Sequence, residues 1–141
     1  MSKKLKYVLL IDDDDAANFI NQVVIKKAGI TDNIITTLNG KEALDFLENY
    51  INQNQGDPSI SEFSLILLDI NMPVMDGWEF LDAYRNAMIP DKKNIHLVML
   101  STSLNPDDKT RAEKIEEVSS FHSKPLTVDM IHKITSGILE I

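Results

Sequence analysis

Four stretches of the chain are almost continuously apolar instead of alternating: KYVLLI (6–11), NIITT (33–37), FSLILLD (63–69) and IHLVMLS (95–101). Short runs rich in β-branched residues and leucine are how strands buried on both faces read. Between them the apolar positions recur at helical spacing. Phe19, Ile20, Val23 and Val24 make one face that ends at Gly29. Ala43, Leu44, Leu47, Tyr50 and Ile51 make a second, with Asn39 and Glu42 placed as in a capping box, and Trp78, Leu81, Tyr84 and Met88 make a third. Asn105-Pro106-Asp107-Asp108 reads as a helix start, with a cap, a proline in the first turn and acids at the positive end of the helix dipole. The helix it opens is thin in apolar residues, offering mainly Ala112, Ile115 and Val118. A fifth strand is expected over Val118–His122, and a last helix after Thr127 with Ile131, Ile134 and Ile138 inward.

Strands and helices in strict alternation predict an α/β domain with a doubly wound parallel sheet of five strands, helices on both faces and right-handed crossovers. In such sheets ligands sit outside the C-terminal ends of the strands, where the strand order reverses. The length of 141 residues suits one domain over 1–141 with no effector domain. The one compositionally biased piece, NQNQGDPSISE over 52–62, reads as a polar surface loop, an idle insertion in preference to a partner-specific feature.

Charge narrows the function. A formal net charge of −8 argues against direct contact with nucleic acid or an anionic membrane surface. The chain has no cysteine, which removes disulfides, thiolate metal sites and cysteine nucleophiles and is compatible with the cytoplasm. The N-terminal MSKKLKYVLLI imitates a signal peptide, but its apolar run is short and ends in aspartates, so neither secretion nor a membrane span is expected.

Those aspartates, Asp12 to Asp15, follow the first strand directly. Two unit charges about 5 Å apart at an effective dielectric of ~20 repel by about 3 kcal/mol, so something must offset the run. Helix capping accounts for one or two of the four. A shared divalent cation accounts for the others, because Mg2+ and Ca2+ take hard oxygen ligands. The remaining strand ends supply Asp69 after the third, Ser101 and Thr102 after the fourth, and Lys124 after the fifth. Carboxylates that hold a cation, an aspartate nucleophile, a hydroxyl and an ammonium are the groups phosphoryl transfer uses.

The set Asp12-Asp13, LLDINMPVMDGWEFL (67–81), Ser101 and Lys124-Pro125 resembles the receiver domains of two-component response regulators, over essentially the whole chain. The stand-alone, chemotaxis-regulator-like receivers are the nearest type. The resemblance implies a flavodoxin-like strand order 2-1-3-4-5, Asp69 as phosphoacceptor, and Mg2+ bound by Asp13 and Asp69, with Asp12 acting mainly through water and the Asn71 carbonyl as a further ligand. It implies that Lys124 pairs with the carboxylate and then the phosphoryl group, that Ser101 bonds a phosphoryl oxygen and moves toward it, that Phe121 is the switch aromatic, and that Lys124-Pro125 is cis. The implied partners are a sensor histidine kinase or histidine phosphotransfer protein upstream and an unknown protein downstream, met through the fourth helix, fifth strand and fifth helix. The chain would be a monomer or a phosphorylation-dependent dimer, and a phosphoacceptor, not a turnover enzyme.

Serine stands at 101 where threonine is more usual, Thr102 is bulkier than the small residue common there, and Phe121 lacks the hydroxyl of a tyrosine. Pro73, Asp76 and Gly77 read as residues that shape the loop and cap a helix, and Asp14 and Asp15 as helix-start residues. His96, His122 and His132 have no metal-ligand spacing. Two other readings use the same residues. A haloacid-dehalogenase-type phosphatase would use Asp12 as nucleophile, but it needs further metal-binding acids after the lysine, and only Asp129 and Glu140 follow Lys124. A receiver-like scaffold would bind partners without phosphorylation. No glycine-rich phosphate loop is present for a nucleotide or flavin.

Overall fold

The computed structural model describes residues 3–51, 56–72, 75–102 and 105–139. The elements run β1 (Val8–Ile11), α1 (Asp15–Ala28), β2 (Ile34–Thr37), α2 (Gly40–Asn49), β3 (Ser64–Asp69), α3 (Gly77–Asn86), β4 (Ile95–Ser101), α4 (Pro106–Glu113), β5 (Val118–Ser123) and α5 (Val128–Leu139). All strands are parallel, in the order β2-β1-β3-β4-β5, as expected. Every residue of β1 and β3 is buried, which is why these strands read as unbroken apolar runs. β5 lies at an edge, pairs through a register shift near Leu97 and carries the more polar sequence VSSFHS.

Side chains alternate between two cores. Leu9, Ile11, Ile66, Leu68, Leu97 and Met99 face α2 and α3, where Ala43, Leu47, Phe80, Leu81 and Tyr84 meet them. Val8, Leu10, Leu65, Leu67, Val98 and Leu100 face the other side, with Ile25 of α1 and Ile131 of α5. At about 25 cal/mol per Å2 of apolar surface, these two layers are the main stabilisation of the fold.

The helix ends follow their sequence signals. Asp14 caps α1 by accepting from the N–H groups of Ala16 and Ala17, and Gly29 closes it at φ 69°, a conformation open to glycine without strain. Asp76 and Glu79 form a reciprocal capping box on α3. Lys124-Pro125 is cis.

Three details depart from the apolar pattern. On α1 most of the expected apolar face is turned outward: Phe19 is 67% and Ile20 57% exposed and Val23 is exposed too, while Val24 packs on the core and Asn18, Asn21 and Ile25 are the buried residues. Met88 and Ile51 lie beyond the ends of α3 and α2 and are largely exposed, because the chain has already left helical geometry there. Of the 52–62 loop, residues 52–55 lie outside the described residues. Its far end is tied to the segment that precedes β1: Lys4 N–H donates to Ser59 O at 2.9 Å and Ser61 N–H to Lys4 O at 2.7 Å. That part is hydrogen-bonded structure.

Candidate functional site

Strand register builds the site. β1 and β3 are neighbours where the strand order reverses, and Ile11 pairs with Leu68. The next residue on each strand, Asp12 and Asp69, therefore emerge side by side. On the other side Leu100 pairs with Asp69 and Ser101 with Ser123, which brings Lys124 to the same edge.

Asp12 is 4% exposed and fastened at every polar group. Its N–H donates to Thr37 O at 3.2 Å, its carbonyl accepts from Asn18 Nδ2 at 2.9 Å, and Oδ1 accepts from the Asp14 N–H at 3.0 Å. Lys124 Nζ donates to Asp12 Oδ2 at 2.8 Å and stands 3.1 Å from Asp69 Oδ1, so one ammonium bridges two buried carboxylates. Asp13 is exposed and completes a trio with Asp12 and Asp69 in which one carboxylate oxygen from each lies within 4.8 Å of the other two. The open acidic depression is lined by Asp12 to Ala16, Asp69, Asn71, Thr102 and Lys124.

Electrostatics explain the crowding. Burial, then the charge of Asp12, push the Asp69 carboxyl above the ordinary carboxylate value, against the pull of Lys124 and the backbone N–H of Asn71. Burial weakens the Lys124 ammonium, yet its hydrogen bond to Asp12 and the charges of both carboxylates carry its pKa above the ordinary lysine value. One cation against three acids leaves unrelieved repulsion that a divalent ion would remove. A small cluster of hard carboxylate oxygens fits Mg2+ by its chemistry.

The other expected residues are distributed as follows. Asn71 lines the depression. Ser101 is fully buried, its carbonyl accepting the Lys124 N–H at 2.9 Å, and Thr102 takes the place at the rim. Phe121 pairs with Met99 and packs, partly buried, against the core on the α2–α3 face. Asp14 and Asp15 belong to the start of α1, so the four-aspartate run divides into two at the cluster and two at the helix. Pro73 lies outside the described residues.

Three contributors go beyond what sequence reasoning supplies: Gly77 is expected there only as a loop and cap residue, and Arg111 and Asn18 are not singled out at all. Gly77 lets α3 begin directly against the acceptor strand: its N–H donates to Ile70 O at 2.8 Å, and a Cβ there would meet Ile70 Cα at 2.8 Å and Asp69 O at 3.0 Å. The guanidinium of Arg111 on α4 lies over the ring of Trp78 on α3 at 4.2 Å. Asn18 holds the Asp12 carbonyl from inside α1. An asparagine set in an apolar helix was the one available signal for the third.

A five-stranded doubly wound domain with an acidic, lysine-bridged pocket at its switch point defines a class of phosphoacceptor proteins. The Response regulator receiver domain family matches residues 8–136, and the chain belongs to that family. It is 34% identical over 134 residues to the response regulator Rcp1 of Synechocystis sp., covering 94% of this chain and 86% of that protein. A two component response regulator from Cytophaga hutchinsonii superposes with a TM-score of 0.80 at 30% identity, over 99% of both chains. The chemotaxis protein CheY4 of Vibrio cholerae gives 0.69 at 26% identity, over 94% of this chain and 98% of that one. Receiver domains of this kind are signalling phosphoacceptors and not turnover enzymes; they bind Mg2+ at an acidic pocket, and response regulators interact with histidine kinases. Among the described residues no helix is long and apolar enough to cross a membrane.

Proposed function

We propose that Asp69 is the residue phosphorylated, by a phosphohistidine on a sensor kinase or a histidine phosphotransfer protein, and that the change is read out through α4, β5 and α5. The observation that carries this reading is the Lys124 ammonium bridging Asp69 and Asp12 beside a third carboxylate. An Asp69 oxygen attacks phosphorus in line with the P–N bond. The O–P bond forms as the P–N bond breaks, and the electron pair stays on the imidazole nitrogen, which takes up a proton. Mg2+ held by Asp13 and Asp69, with Asp12 beside them and the Asn71 carbonyl as a further ligand, would neutralise charge on the phosphoryl oxygens during transfer.

Phosphorylation adds charge and three acceptor oxygens at Asp69. Lys124 keeps a phosphoryl oxygen in place of the carboxylate oxygen it now holds. Ser101 turns its hydroxyl toward the new group, carrying the β4–α4 connection with it, and Phe121 repacks into the space beside β4. The apolar residues Phe19, Ile20 and Val23 begin one turn from Ala16, which lines the acidic rim, so α1 offers the donor a greasy surface next to an acidic one.

The test is intact-protein mass after incubation with a small acyl phosphate, with and without Mg2+, for the wild type and Asp69→Asn. A single Mg2+-dependent phosphoryl adduct absent from the variant is the expected result. Steady donor hydrolysis with no adduct would move the chemistry to Asp12 as a phosphatase nucleophile. Neither adduct nor hydrolysis would leave a phosphorylation-independent scaffold.

A further inference from the structure

We infer that Asn18 is a positioning residue for the cation-binding carboxylates, acting through the Asp12 carbonyl to set the direction in which Asp13 leaves β1. This rests on the reading of Asp12, Asp13 and Asp69 as the Mg2+ site.

α1 is built against its own hydrophobic interest. Phe19 and Ile20 face outward, while Asn18, 3% exposed, is sunk beneath them. Its Nδ2 donates to Asp12 O at 2.9 Å. Its Oδ1 is buried and has no hydrogen-bond partner among the described residues. Burying an unpaired amide oxygen costs stability, whereas an apolar side chain of similar volume would extend the core around Ile25. The single thing asparagine supplies that such a side chain cannot is the bond to the Asp12 carbonyl.

That bond sits at the right point. Asp13 is exposed, so its direction comes from the residues on either side. Asp14 is fixed as the cap of α1 and by its N–H to Asp12 Oδ1. Asp12 is fixed by the sheet at its N–H and by Lys124 at its carboxylate. Asn18 is what fixes the carbonyl of the peptide joining Asp12 to Asp13. Groups that orient a metal's ligands without touching the metal commonly contribute 10- to 100-fold, on the order of magnitude, to its affinity.

The test is an Mg2+ titration read by the shift in thermal unfolding midpoint, on the wild type, Asn18→Leu and Asn21→Leu. Asn21 is buried on the same helix, three residues further from the acidic loop, and reports the effect of changing core polarity alone. Asn18→Leu is expected to need about ten-fold more Mg2+ for its half-maximal shift, whatever its unfolding temperature without Mg2+. Asn21→Leu is expected to keep the wild-type requirement. Should Asn18→Leu fail to fold, Asn18→Ala carries the same expectation for Mg2+. An Asn18 variant within about two-fold of the wild-type Mg2+ midpoint, or an equal rise in Asn21→Leu, would overturn the inference while leaving the pocket's assignment intact. A wild type that takes the adduct equally with and without Mg2+ in the acyl phosphate experiment, and shows no Mg2+ shift, would overturn the cation reading itself.

Discussion

α3 and α4 flank one pocket from the same face of the sheet, and they are held by different means. α3 buries Gly77, Trp78, Phe80, Leu81 and Tyr84, carries a reciprocal capping box, and starts in backbone contact with the acceptor strand. α4 buries Ala112 alone, is largely charged, and leans on α3 through Arg111 over Trp78. The difference teaches where this domain can move. A phosphoacceptor must be held still for in-line attack, and the α3 side does that; a responding element must shift at low cost, and α4 has little apolar contact to lose.

The comparison breaks most visibly at Phe80, which is fully buried on α3. Phe80→Ala should cost about 3–5 kcal/mol of stability in chemical denaturation. Gly77→Ala is the more pointed change, because the added Cβ would press on Ile70 and the Asp69 carbonyl. It should cost about 1–3 kcal/mol and slow acyl phosphate labelling by displacing the acceptor. Labelling at the wild-type rate would show that the α3 start does not position Asp69.

On the α4 side the effects shrink. Arg111→Ala removes a cation–π contact worth about 0.5–1 kcal/mol at an exposed site, so stability should barely change. The single tryptophan should nevertheless report a changed environment in its emission, and labelling should hold or rise as α4 loosens. An unchanged emission spectrum would mean that the stacking does not persist in solution. The smallest effect is a pH dependence near β5. Burial, then the charge of Lys109 on α4, lower the His122 pKa, and burial lowers that of His96. A depressed histidine contributes stability that is present above the ordinary value near pH 6.5 and lost as pH falls through the folded value. Stability followed from pH 7 to 5 should therefore decline, and His122→Gln should flatten the slope.

Legibility in the sequence followed the physics of each region. The β1 and β3 runs were plain because both faces are buried, and the strand-end residues Asp12, Asp69 and Lys124 were plain because parallel register carries them to one edge. The division of Asp12 to Asp15 into two cluster acids and two helix-start acids followed from capping rules. α1 is only partly legible, because periodicity reports an apolar face without saying which way it points: Val24 packs on the core, and Asn18 takes an inward position. The close approach of Gly77 to the end of β3 and the Arg111–Trp78 contact between α3 and α4 depend on tertiary packing, which no local pattern encodes.

The central claim is that the acceptor side is fixed and the α4 side yields. Backbone amide hydrogen exchange, measured before and after phosphorylation with a small acyl phosphate and Mg2+, tests it most directly. The account predicts fast exchange over 106–113 that changes on phosphorylation, with slow and unchanged exchange over 77–86. Protection in α4 equal to that in α3, or a phosphorylation response centred on α3, would contradict it.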